Sequence, residues 1–173
     1  MLGVTDMKIV PARGEEIAPE GAGPAELVMA LASRKGHEVA EQCAAGDVII
    51  AADTIVWRRG RVYGKPHSRQ QALDMLHALS GDRHQVFTGV SVIRDGVEEL
   101  AYEMSYVHFR ELSDQEIEAY TDTGEPMDKA GAYGAQGKAA LFVKGIEGDF
   151  FNVMGLPLCT LGEMLKKQGV RLL

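Results

Sequence analysis

"HQVFTGVSVIRDGVEELAYEMSYVHFREL", residues His84–Leu112, decides what kind of fold this chain adopts. It contains two runs rich in Val, Ile, Phe and Tyr, separated by Asp95-Gly96. β-Branched and aromatic side chains suit a pleated strand. Asp-Gly tolerates the positive φ angles of a two-residue hairpin turn. The stretch therefore predicts two antiparallel strands in the middle of the chain. A purely parallel doubly wound sheet has no place for such a hairpin, because parallel neighbours need long crossovers.

Reading toward the N-terminus, "SRQQALDMLHALSG" (Ser68–Gly81) predicts a capped amphipathic helix, with Ser68 as N-cap, Gln71 three residues on and Gly81 past the end. "RRGRVYGKP" (Arg58–Pro66) reads as a turn region. "DVIIAADTIV" (Asp47–Val56) is a continuous apolar run, the pattern of a buried strand, with Asp53 and Thr54 near its end. A helix is predicted from Pro24 to about Ala44 or Ala45, stopped by Gly46. "PARGEEIAPEGAG" before it is a loop, and "MKIV" (Met7–Val10) a short strand ended by Pro11.

Toward the C-terminus, Ser113 is the cap of a helix in "DQEIEAYTDTG". "KAALFVKGIEG" (Lys138–Gly148) reads as a strand, and the chain closes on a helix whose start Pro157 constrains. The expected architecture is α/β: a mixed sheet with helices packed on it, no linker dividing residues 1–173, and the hairpin free to extend as a lobe.

The 173 residues are 46% apolar and 25% charged, enough for a sizeable core. The net charge of -7 disfavours nucleic-acid binding, which needs clustered Lys and Arg. It leaves room for a small anion held by a few local lysines. Cys43 and Cys159 lack metal or redox spacing and read as free thiols. No apolar run reaches membrane-spanning length, and "MLGVTDMKIVPARGEE" has no signal-peptide pattern. The expected compartment is the cytoplasm, with no membrane and no nucleic-acid partner.

Three turns concentrate chemistry. Asp53 follows a buried apolar run, where a carboxylate is costly without a partner. Taken alone it reads equally well as a turn cap or as a group facing a ligand. Lys65, between Gly64 and Pro66, reads alone as a solvated turn lysine, or as a charge presented to phosphate. Lys35 and Arg34 alone read as a solvated helix face, and Glu15 and Glu16 as a solvated loop. Glu16 with Asp53 would also suit Mg²⁺, which takes one or two carboxylates with water and phosphate oxygens. "PMDKAGAYGAQG" (Pro126–Gly137) has neither helical nor strand period. It carries Asp128, Lys129 and Gln136 on a frame of glycine and alanine. Gln136 both donates and accepts, as a nucleobase edge requires. The glycines let backbone approach a ligand closely, or simply build a tight loop.

Together "ELVMALASRK", "VIIAADTIV", "GKP", "ALDMLHALSGDRHQVFTGV", "ELSDQEIEAY" and "GEPMDKAGAYGAQGKAALFVKGIEGDFFNVMGLPL" resemble the Maf family of nucleoside triphosphate pyrophosphatases, over nearly the whole chain and in the family's order. The resemblance implies the two-lobed fold shared with inosine triphosphate pyrophosphatases, with an elongated mixed sheet and a central cleft. It implies hydrolysis of a nucleoside triphosphate to the monophosphate and pyrophosphate with a divalent metal, Mg or Mn. Asp53 matches the proton acceptor. Lys65, Lys129 and Glu16 match further catalytic positions, and Lys35 a position that meets phosphate. Asp53 and Glu16 are the implied metal ligands. Thr54 and Gln136 match the positions that mark the branch acting on dTTP and UTP. A homodimer is also implied. The family's opening strand and "SxSPRR" turn have no match here, so the resemblance is to an N-terminally truncated member. The alternative function is a nucleotide-binding regulator of septum formation with little or no catalysis. A phosphomonoesterase is disfavoured, because "ADT" lacks the second aspartate of a DxD nucleophile motif.

Overall fold

In the computed structural model, which describes residues 7–14 and 18–172, the Asp95-Gly96 hairpin is the axis of the sheet. Asp95 and Gly96 have φ of 49° and 80°, the two positive values of the tight turn expected there. They join β3 (Arg83–Arg94) to β4 (Val97–Phe109), which pair along their whole length from Arg94↔Val97 to Arg83↔His108. On the other side of β3 lies β1 (Val48–Arg58), paired from Val48↔Arg94 to Trp57↔Gln85. β2 (Arg61–Tyr63) extends β1 at one end, and β5 (Val143–Glu147) pairs with the last residues of β4. The order is β2-β1-β3-β4-β5.

Helices flank this sheet as expected for an α/β chain. All four ladders are antiparallel, where the alternation of helices and strands suggested a mixed sheet. The strand expected ahead of the first helix, α1 (Pro24–Ala40), is Met7–Val10. Among the described residues there, Met7–Val10 form no strand. Met7 and Ile9 are exposed, and Pro11 lacks the N–H that a ladder would need. α1 also ends earlier than expected, since the residues after Ala40 form turns closed by Gln42 N to Val39 O and Cys43 N to Ala40 O.

α1 lies across one face of the sheet through two glycines. A Cβ on Gly89 would fall 2.3 Å from the carbonyl oxygen of Val28, and one on Gly36 would fall 2.8 Å from Ser91 Oγ. Leu27, Val28 and Leu31 pack there against Ile55 and Phe87. The opposite face of β3 carries Val90 and Val92, covered by Leu161, Met164 and Leu165 of α4 (Leu158–Lys167). The largest core cluster lies under α2 (Arg69–Leu79) and α3 (Asp114–Thr121), where Leu73, Leu76, Ile117 and Phe142 meet Val86 and Val107. The helix starts follow the sequence. Ser68 Oγ accepts from Gln71 N at 3.1 Å, and Ser113 forms a capping box with Glu116. Arg110 and the Ser113 backbone hold the Glu116 carboxyl down at about 2.

Lys138–Leu141 form a 3-10 turn, not the start of a strand, and β5 begins only at Val143. No described helix is long and apolar enough to cross a membrane. Cys43 and Cys159 are free thiols.

Candidate active site

Asp53 lies in the middle of β1, not at its end as the sequence suggested. The apolar run continues through Trp57 because Arg59-Gly60 makes the real turn, with φ of 49° and 79°. This matters for access. β2 pairs only with Val56–Arg58, so the edge of β1 around Asp53 has no strand beside it among the described residues. A cleft of about 740 Å³ opens along this edge, within the usual range for a small-molecule site.

α1 and β1 place a charge pair in the cleft. Lys35 Nζ donates to Asp53 Oδ1. The Asp53 side chain is only 9% exposed, a depth at which a carboxylate needs a cation or hydrogen bonds, and Lys35 supplies both. Thr54, next on the strand, points to the opposite face. Its Oγ1 lies 2.8 Å from Thr88 Oγ1, and Thr88 donates to the Asn152 carbonyl at 2.9 Å.

The far wall is built by the two glycine-rich turns, which are tied together. Gly131 N donates to Gly64 O at 3.0 Å, which joins the "GKP" turn to the "PMDKAGAYGAQG" run. Gly131 has φ 67°, and a Cβ there would fall 2.8 Å from Val56 Cγ2; only glycine lets the run settle onto β1. Lys129 donates to Asp128 Oδ1 at 2.7 Å. That bond holds the Asp128 carboxyl below its ordinary range, and the charge of Lys65 adds to the effect. Asp128, Lys129 and Lys65 all line the cleft. Gln136 lines the same cleft and is exposed.

Asp53, Thr54, Lys35, Lys65, Lys129 and Gln136 thus all line one cleft. Glu16 lies outside the described residues, although Ala18 reaches the cleft. Among the described residues no three His, Cys, Asp or Glu side chains converge as a metal site. Among the described residues the carboxylates lining the cleft are Asp53 and Asp128, hard ligands of the kind Mg²⁺ accepts when phosphate and water complete its shell.

Sequence reasoning missed several supporting residues. Arg61 lines the cleft and lies 5.4 Å over the Tyr63 ring. Glu125 accepts from the Lys138 N–H through both carboxylate oxygens and from Tyr120 OH, and Tyr120 OH in turn accepts from Gly134 N. His84 Nε2 lies 2.7 Å from Tyr133 OH under the run. Burial drives the His84 pKa down to about 3, so the ring is neutral at pH 7. These residues look ordinary in sequence because their role depends on which turn folds over them.

The model of the Maf-like protein family matches residues 1–168. The chain belongs to the Maf-like family. Among its curated relatives, the dTTP/UTP pyrophosphatase of Alkaliphilus metalliredigens is 47% identical over 155 residues, covering 88% of this chain and 80% of that protein. The dTTP/UTP pyrophosphatase of Pelotomaculum thermopropionicum is 47% identical over 174 residues, covering 99% and 90%. That of Bacillus anthracis is 41% identical over 160 residues, covering 92% and 83%. Residues matched by the family model include every candidate position in the cleft of this Maf-like chain.

Proposed function

We infer that this Maf-like chain is a nucleoside triphosphate pyrophosphatase acting on dTTP and UTP, releasing the monophosphate and pyrophosphate. The observation that carries the reading is the make-up of one cleft. A Lys35–Asp53 pair on its floor faces Lys65 and Lys129 on its rim, beside the uncharged Thr54 and Gln136. Relatives of up to 48% identity bear the matching name.

In this reading the lysines and Asp53 divide the work. Lys65 and Lys129 receive the β- and γ-phosphates and hold the charge of the leaving pyrophosphate. Lys35 fixes the Asp53 carboxylate in place. Water adds to phosphorus at the α–β anhydride, the bond to the leaving pyrophosphate oxygen breaks, and the water proton passes to Asp53. A divalent cation, Mg or Mn, held by Asp53 with phosphate oxygens, would supply charge neutralisation at the anhydride. Glu16 is proposed as a second carboxylate for it. Thr54 and Gln136 meet the base. The setting is cytoplasmic nucleotide metabolism, and the assembly a homodimer.

The test is pyrophosphate release from a nucleotide panel with Mg²⁺ or Mn²⁺. The expected result is turnover of dTTP and UTP above the other nucleotides. Folded protein that releases pyrophosphate from none of them overturns the reading.

A further inference from the structure

Thr54 stands on the uncharged side of the cleft. Val153 and Met154 line the cleft with it, and a Cβ on Gly155 would lie 3.4 Å from its Oγ1. A neutral hydroxyl between apolar walls suits a planar base better than a polyphosphate.

The direction of its hydrogen bond follows from counting protons. A hydroxyl has one proton to donate, and a carbonyl can only accept. Thr88 Oγ1 lies 2.9 Å from the Asn152 carbonyl oxygen, so the Thr88 proton points there. In the 2.8 Å contact between Thr54 and Thr88 the donor must then be Thr54. With its proton engaged, Thr54 presents only lone pairs to the cleft. A second set of hydrogen bonds anchors the side chain of Asn152, the residue whose backbone carbonyl accepts from Thr88. Asn152 Nδ2 donates to Val86 O at 3.1 Å and to Ser105 Oγ at 2.8 Å, and Ser105 passes its own proton to Asp149 O at 2.9 Å. Thr88, Ser105 and Asn152 are all fully buried, which keeps water from reversing either set.

We propose that Thr88 and Asn152 are positioning residues that hold Thr54 as an obligate hydrogen-bond acceptor toward the cleft. Such a site takes a base that donates a ring N–H, as the imide of uracil or thymine does. It rejects cytosine, whose corresponding nitrogen is itself an acceptor and would face lone pair against lone pair. The proposal rests on the reading of this cleft as a nucleotide site, and it names how the base is chosen.

Equilibrium binding tests it without depending on turnover. Calorimetry compares UTP and CTP analogues carrying a methylene bridge between the α- and β-phosphorus, against wild type, Thr88→Val, Thr88→Ser and Thr54→Val. Wild type is expected to prefer the uridine analogue by about tenfold or more, because a site built to pair a donor penalises its absence. Thr88→Val leaves Thr54 free to donate and is expected to remove most of that preference, as is Thr54→Val. Thr88→Ser keeps the relay and is expected to keep the preference. A Thr88→Val protein with the wild-type ratio overturns the proposal. If that variant does not fold, the wild type decides alone: an N3-methyluridine analogue bound as tightly as the uridine one overturns it. Pyrophosphate release is measured separately. Wild type that selects uridine but releases none overturns the hydrolytic reading and supports this one; wild type that binds neither analogue overturns both.

Discussion

The two carboxylate oxygens of Glu125 lie 3.0 and 3.2 Å from the backbone nitrogen of Lys138, closing the glycine-rich run like a clasp. A Cβ on Gly137 would fall 2.1 Å from Glu125 Oε1, so the clasp closes only over glycine. Glu125→Ala should free the segment that carries Lys129 and Gln136. Leaving the buried Tyr120 hydroxyl without its acceptor should cost about 1–3 kcal/mol. Gly137→Ala should act through the same clasp by displacing the carboxylate. The expected result is a raised KM for nucleotide in both variants. The double variant should be little worse than either, since contacting residues are non-additive. Steady-state kinetics with thermal melts on the three proteins checks this; strict additivity would mean that the clasp does not exist.

Asp53→Asn should lower pyrophosphate release by roughly 10² or more if Asp53 takes the proton, because the amide cannot. Nucleotide binding should change less than rate. A chelator should abolish turnover and Mg²⁺ or Mn²⁺ restore it. Rates near wild type in Asp53→Asn would remove it from the base role, and activity that survives chelation would remove the metal.

Much of this site was legible because its residues lie in punctuated turns. Asp95-Gly96 announced the hairpin, and Ser68 with Gln71 announced α2, since both are local backbone effects. Lys65, Lys129 and Gln136 stood out against glycine and proline. What stayed hidden depends on pairing. Asp53 looked terminal because the apolar run gives no sign of how far β1 extends beyond Val56. Thr88 reads as one more strand residue until the register places it opposite Thr54. Asn152 and Glu125 acquire their roles only when distant segments fold over them.

Gly89 is the point at which α1 touches the sheet most closely. A Cβ there would meet Val28 O at 2.3 Å, Val28 C at 2.4 Å and Met29 N at 2.7 Å, all backbone atoms that cannot turn aside. Gly89→Ala should therefore push α1 away from β3, at about 1–3 kcal/mol or more for an overpacked contact. Because α1 carries Lys35 onto Asp53, activity should fall with stability. Urea unfolding and turnover on the same preparation check the pair; an unchanged midpoint would mean that α1 packs elsewhere.

His84 gives the chain an acid-sensitive core. It is 2% exposed, its ring lies edge-on to Phe109 and Tyr133, and burial lowers its pKa from 6.5 to about 3. The unfolded chain therefore binds a proton below pH 6.5 that the folded chain refuses, so stability falls as pH drops through that range. The slope from one such group approaches about 1.4 kcal/mol per pH unit. Between pH 6.5 and 4.5 this effect stands apart from the carboxyls of Glu38, Asp82, Glu98, Glu116 and Asp128. Their folded pKa values are lowered from ordinary values of 4.5 or 3.8, so their contributions are lost only in more acid solution. His84→Gln keeps a polar partner for Tyr133 and removes the titration. Denaturant unfolding at pH 7 and pH 5 should show wild type losing about 2 kcal/mol that the variant keeps. Equal losses in the two proteins would move the acid sensitivity to another group.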